Sequence, residues 1–168
     1  MNKTFRFVLL AILVLAAPVL ADNQSAGIGA RYHAENSKFA DMPYGNGDLS
    51  YSVLYEVHEE EAALQFIADY APSLTGSNNV DYAVTPAVNL ILEDHYLRGG
   101  LGIMTSYLKS DNPGWTKVYW QFLLGLEVPI MKKFSAEAMA YYPFESWSKL
   151  NDFNWKFVEY GLSLKYNF

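Results

Sequence analysis

From about Ser25 to its end the chain repeats one rhythm: short stretches in which apolar and aromatic residues take every second position, separated by turn residues. A period of two marks a β-strand with one apolar face. Eight such segments can be drawn, at 25–34, 48–58, 62–71, 82–93, 96–108, 116–129, 133–143 and 154–168. Most are close to, or a little above, the roughly 9–11 residues that a tilted strand needs to cross a bilayer. Pro86, inside the fourth, cannot donate to a ladder, so a bulge or an irregular pairing is expected there.

The connections alternate in length. "ENSKFADMPYGNG", "PSLTGSNNV", "KSDNPGW" and "FESWSKLND" are long or rich in turn residues, whereas "EEE", "ED" and "IMK" are short. Short turns at one end and longer loops at the other are the pattern of a membrane barrel, and a soluble sandwich, wet at both ends, has no reason for it. The expected fold is therefore all-β: an eight-stranded antiparallel up-and-down transmembrane β-barrel, with the short turns and both termini on the periplasmic side.

Alternation also assigns the faces. In the sixth segment Val118, Trp120, Phe122, Leu124, Leu126 and Val128 form an uncharged row that suits lipid. The second segment gives Leu49, Tyr51, Val53, Tyr55 and Val57, and the last gives Val158, Tyr160, Leu162, Leu164, Tyr166 and Phe168. The opposite rows send Arg31, His33, Glu56, Gln65, Asp69, Asn89, Arg98, Gln121, Glu127, Glu137, Glu159 and Lys165 into the lumen. Eight strands enclose a space only wide enough for side chains, so these charges must pair there, with Arg31 and Arg98 each bridging carboxylates. A soluble barrel of the lipocalin kind would place the apolar rows inside. Here the charged residues number one or two per strand and share their row with Gly and Ser, which fits a crowded lumen. Tyr and Trp gather at strand ends, as interfacial girdles do.

Composition sharpens this reading. "MNKTFRFVLLAILVLAAPVLA" has a basic start, an apolar run shorter than a spanning helix and the small-residue site Val19-Leu20-Ala21, so residues 1–21 read as a cleaved signal peptide and 22–168 as the barrel domain. Removing Lys3 and Arg6 with the leader turns the formal charge of −6 into −8, which disfavours nucleic acid as a partner. An exported chain without cysteine gains nothing from disulfides. Mean hydropathy is close to zero, as alternating strands require.

The search for chemistry yields little. "GIGA" (27–30) and "GGLG" (99–102) lie within strands, where glycine makes room in a tight lumen. His58-Glu59-Glu60-Glu61 has donors for a divalent cation but reads as a solvated periplasmic turn, and His95 beside Asp94 as another turn residue. No metal or cofactor is expected. Lipid A deacylases of this size carry a His and a Ser two apart on a late strand; "AMAYYPFESW" has Tyr141 and Pro143 at that spacing, and no histidine follows His95. The chain is accordingly not expected to be an enzyme.

In strand count, loop asymmetry and the ending "YGLSLKYNF", the chain resembles the eight-stranded OmpA/OmpX-type outer-membrane proteins of Gram-negative bacteria. The resemblance implies residence in the cell outer membrane and contact with its lipids, lipopolysaccharide included. It also implies recognition of the last strand, through Tyr166 and Phe168, by the outer-membrane assembly machinery. The leading expectation is a structural or surface-interaction role, with an extracellular ligand met by loops 35–47 and 144–153, where Phe39, Met42 and Tyr44 in the first of them point either to recognition or to seating at the outer membrane interface. The alternatives are a lipid A acyl hydrolase-like enzyme and a narrow ion channel.

Overall fold

The computed structural model describes residues 23–34, 42–72, 74–75 and 79–168; the expected signal peptide, Phe39 and the rest of 35–41 lie outside these. Alternating β-branched and aromatic residues build ten strands: β1 (Gln24–Tyr32), β2 (Leu49–Glu59), β3 (Ala62–Ala71), β4 (Val80–Asp94), β5 (Leu97–Met104), β6 (Tyr107–Ser110), β7 (Gly114–Trp115), β8 (Tyr119–Met131), β9 (Phe134–Phe144) and β10 (Glu159–Asn167). Eight of them close a ring in the order β1-β2-β3-β4-β5-β8-β9-β10, every contact antiparallel. Ring closure comes from β1 against β10, running from Ser25↔Asn167 to Tyr32↔Tyr160. A closed ring leaves no unpaired edge among its staves. No helix among the described residues is long and apolar enough to cross a membrane.

Two expected segments are divided. The fifth breaks at Thr105–Ser106 into β5 and β6, both paired with β4, and β7 folds back on β6 as a short hairpin above the ring. Pro86 accounts for the break. It pairs in unbroken register with Ala68 of β3, so no bulge forms on that strand at Pro86. On its other side it has no N–H to give, and only its carbonyl is used, accepting from Thr105 N at 3.2 Å. The irregularity therefore lies on the facing strand; the register shift within β4 itself is at Asp81, between Val80 and Tyr82. The last expected segment begins later than its sequence pattern: Trp147–Asp152 and Trp155–Phe157 are 3-10 turns, and the strand starts at Glu159.

The turns separate the two ends as expected. At one end β2–β3, β4–β5 and β8–β9 are joined by two residues each, with Glu60 (φ 49°) and His95 (φ 55°) in the left-handed region that tight hairpins need. We call this the short-turn end and the opposite one the long-loop end. The outer surface is aliphatic, with Ile28, Val53, Leu90, Leu92, Leu124, Leu126, Leu162 and Leu164 all exposed, while the interior holds Arg31, Glu56, Asp69, Arg98, Glu159 and Lys165, all buried. The apolar-out, charged-in arrangement is that of a transmembrane β-barrel.

Candidate functional site: the lumen network and its two mouths

Strand alternation brings all twelve sequence-expected lumen residues inside the barrel, where they sort into two charge clusters. Near the short-turn end, Lys165 of β10 donates to Glu56 (2.8 Å), to Glu137 (3.2 Å) and, in a short contact, to Glu127. Arg98 of β5 reaches Glu56 (3.1 Å), Glu127 (2.7 Å) and Glu137 through Nη1, and lies 2.6 Å from Glu93 through Nη2. The remaining lone pairs go to serines: Ser25 donates to Glu56, Ser135 to Glu127 and Ser163 to Glu137. Pairing and hydrogen bonding of this kind offset the cost of burying the charges.

The second cluster lies nearer the long-loop end. Arg31 of β1 pairs with Glu159 (2.6 Å) and Asp69 (3.4 Å), and its guanidinium sits 4.0 Å from the centre of the Tyr141 ring. Ser52 donates to Asp69. Three side chains join the clusters through four hydrogen bonds. Arg31 Nη2 donates to Gln121 (3.1 Å), Gln121 to Asn89 (2.7 Å), Asn89 to Gln65 (2.6 Å), and Gln65 to Glu56 (2.7 Å). Every amide points the same way because the chain starts on a cation and ends on a carboxylate. Gly102 makes room for it: a Cβ there would sit 1.8 Å from Asn89 Oδ1.

Sequence reasoning missed Glu93 and misplaced His58. His58 is not a solvated turn residue; it points inward, 3.3 Å from Glu56, 3.3 Å from Glu93 and 3.2 Å from Ser25 Oγ. Its inward parity with Glu56 on β2 was the available signal. Tyr44 and Met42 were also expected in an exposed recognition loop. Instead Tyr44 dips into the barrel and stacks on His33 with ring centres 3.6 Å apart and planes 2° apart, while Met42 packs against the inner cluster of Leu54, Ile67, Ala87, Met104 and Tyr119. Tyr44 hydrogen bonds Thr85, which bonds Ser106 at 2.7 Å. Burial pushes the Tyr44 phenol well above its usual range, so it stays a neutral hydroxyl. Asp48 holds this cap, accepting from Gly45 N (2.7 Å) and from Thr75 N and Oγ1 (3.0 and 2.7 Å), which ties the first two long loops together.

The two mouths therefore differ. The long-loop end is stoppered by Tyr44. The short-turn end opens into a cavity of about 400 Å³, lined by His58, Glu93, Arg98, Glu127, Asn167 and Phe168 among others. Between the clusters, beside Arg31, Glu137 and Tyr141, the lumen leaves a void of about 10 Å³, at the limit of what holds one water.

Two serine–histidine–carboxylate groupings occur that the sequence search did not find, because their members come from different strands. Ser50 Oγ lies 2.9 Å from His33 Nε2, with Glu159 3.2 Å from Nδ1. Ser25, His58 and Glu93 form the other. In the first, Ser50, His33 and Glu159 are all buried, Arg31 engages Glu159 and Tyr44 covers the imidazole. In the second, carboxylates flank both imidazole nitrogens and the serine hydroxyl donates to Glu56 rather than to a base. Neither offers an accessible nucleophile beside a free base.

No family model matches the sequence, and no curated protein matches it. Among solved structures, the chain is similar to Neisserial surface protein A, with a TM-score of 0.50 at 11% identity over 87% of this chain and 97% of that one. It is also similar to Ail, the attachment invasion locus protein of Yersinia pestis, with a TM-score of 0.48 at 13% identity over 89% and 100% of the two chains. The likeness concerns architecture: this is a small barrel of the OmpA/OmpX type.

Proposed function

We propose that this protein resides in the bacterial outer membrane as a non-enzymatic, non-conducting barrel that presents its long-loop end to the exterior. The observation that carries the reading is the inversion of the usual protein: a closed ring with an aliphatic exterior around a buried, paired charge network. Aromatic residues mark the two rims of the aliphatic band, with Tyr32, Tyr51, Tyr70 and Trp115 towards the long loops and Tyr96, Phe134 and Phe168 towards the short turns. In this reading the short turns and both termini face the periplasm, lipopolysaccharide surrounds the outer half, and the assembly machinery recognises β10 through Tyr166 and Phe168. Phe168 N continues the ladder by donating to Gln24 O at 2.9 Å, and its ring meets Tyr166 edge-on. The role outside the cell falls to the long-loop end, chiefly the segment 145–158 and the β6–β7 hairpin, because residues 42–48 are spent on closing the barrel.

The lipid-hydrolase alternative is weakened by the blocked groupings at Ser50 and Ser25, and the channel alternative by the filled lumen. The test is gel mobility of protein extracted from the outer membrane, with and without boiling, together with an epitope inserted at Asn112 in the β6–β7 turn. A heat-dependent shift and an epitope reached by antibody on intact cells are expected. Recovery of the folded protein in the soluble fraction overturns the reading.

A further inference from the structure

The charge cluster near the short-turn end carries more carboxylates than cations, and it borders the cavity of about 400 Å³ at that end, here called the vestibule. Glu56, Glu93, Glu127 and Glu137 stand against Arg98 and Lys165. His58 adds a third cation when both ring nitrogens carry protons, as the carboxylate oxygens facing each of them at 3.3 Å favour. Four negative charges then face three positive ones, and one positive charge is missing.

The same wall holds polar atoms without partners. Arg98 is 2% exposed and spends Nη1 on Glu56, Glu127 and Glu137, but its other edge, Nε and Nη2, makes no hydrogen bond among the described residues. That edge is one on which guanidinium receives an acceptor in two-pronged fashion. Glu93 Oε1 is unbonded as well: it stands 2.6 Å from Nη2, but no N–H is directed at it. Both side chains line the vestibule. Unmet buried donors and acceptors cost free energy, so an occupant that meets them is stabilised there. Water would satisfy the atoms but not the charge. A further anion would meet four carboxylates, and no three His, Asp or Glu side chains among the described residues are arranged to hold a metal ion. Two donors in want of an acceptor, beside a carboxylate in want of a cationic donor, describe an ammonium and a carbonyl attached to one carbon.

We propose that the vestibule is a binding site for an α-aminoacyl group, its ammonium on Glu93 and its carbonyl on the Nε–Nη2 edge of Arg98. Two sources supply that chemistry. The nearer is the chain itself: Asn23 lines the vestibule and its carbonyl accepts from His58 N at 3.0 Å, so cleavage of the leader after Ala21 would place the new α-amino group on the residue immediately before it. The other is a free amino acid derivative or peptide arriving at the short-turn face. With the first source, removal of the leader supplies the missing positive charge, which the uncleaved chain lacks at that point.

The test compares two folded forms of the full barrel, one beginning at Asp22, confirmed by intact mass, and one with a short extension before Asp22 that moves the ammonium away. Each is titrated with glycinamide, and with N-acetylglycinamide, which lacks the ammonium, while the Arg98 Nε–H signal is followed by NMR; buried Arg31 is the internal reference. Acetylation of the N-terminus is timed in the folded protein and in urea, against exposed Lys132. If the N-terminus is the occupant, folding slows its acetylation about tenfold, the factor to which one charge-assisted hydrogen bond corresponds. Glu93→Gln then removes that protection, and only the extended form takes up glycinamide. If free compounds are the source, the N-terminus reacts as it does in urea and glycinamide shifts the Arg98 signal in both forms. An Arg98 signal that glycinamide leaves unchanged in both forms overturns the proposal, and so does an equal response to N-acetylglycinamide. The titrations need no substitution, so they decide even where Glu93→Gln fails to fold. An exported chain whose mass shows a different start defeats the first source alone.

Discussion

At the scale of single residues the barrel depends on how its buried polar groups are paired. Asn89 shows why: it donates to Gln65 and accepts from Gln121 in a chain whose direction is set by Arg31 at one end and Glu56 at the other. Replacing it with leucine, which has nearly its shape, leaves the Gln65 oxygen and the Gln121 amide without partners in a space closed to water. Each orphan costs about 1–3 kcal/mol, so Asn89→Leu should lower the unfolding free energy by about 2–6 kcal/mol, measured by urea titration in lipid vesicles. A change below 1 kcal/mol would show that water enters the lumen and satisfies both groups. Period-two alternation was enough to place Asn89, Gln65 and Gln121 inside. Their order in the chain was not legible, because it depends on the stagger between β3, β4, β5 and β8, which the face pattern of one strand does not encode. Glu93 was missed for a related reason: it stands at the end of β4, where the apolar rhythm fades, and only its register against Arg98 reveals its role.

At the scale of elements, the hairpin turns and the β9–β10 connection contrast in legibility. Loop lengths alone separated the two ends, since a two-residue link between antiparallel strands leaves almost no freedom. His95 nevertheless occupies a left-handed conformation that favours glycine or asparagine, and its bond to Asp94 is exposed at both ends and contributes little. His95→Asn should therefore stabilise the barrel by about 1 kcal/mol, seen as a higher urea midpoint with unchanged slope. A lower midpoint would mean that the imidazole has a role in the mouth of the vestibule that its exposure does not reveal. "FESWSKLND" could be read as a loop but not as part of a connection that folds back onto Tyr142 and Phe144 of the outer wall. The clue lay one strand earlier, in outward-facing Tyr142 and Phe144 beside Trp120 and Phe122, more aromatic surface than a lipid-facing wall of Leu and Val carries elsewhere on this barrel. Pro86 misled in the opposite sense: its missing donor was legible, but which neighbour would yield to it was not, because alternation does not say towards which adjacent strand a residue's backbone groups point.

At the scale of the whole molecule, the strand count fixes the width of the lumen, and the side chains then decide whether anything passes. Closure occurs twice, through different physics. Tyr44 stoppers the long-loop end by stacking on His33, held by the Asp48–Thr75 tie; below it, the guanidinium of Arg31, the amide chain and the Glu56–Arg98–Lys165 cluster fill the section with ion pairs that desolvation makes costly to part. Carboxamides, unlike water or carboxyl groups, do not readily hand protons along, which argues against the joining chain as a proton wire. Because the ion pairs and the amide chain fill the section below the stopper, removing the stopper alone should not open the barrel. Planar bilayers containing the wild-type protein should show no unitary current steps, and Tyr44→Ala should show none, while its loss of the ring packed among Ala71, Leu74 and Ala83 should destabilise the cap by about 3–5 kcal/mol, read from faster protease cleavage in residues 42–48. Steps in the wild type would contradict the filled lumen. Steps confined to Tyr44→Ala would locate the whole barrier at the stopper and reduce the charge clusters to lining, a result that would turn the vestibule at the other end into the inner half of a gated pore.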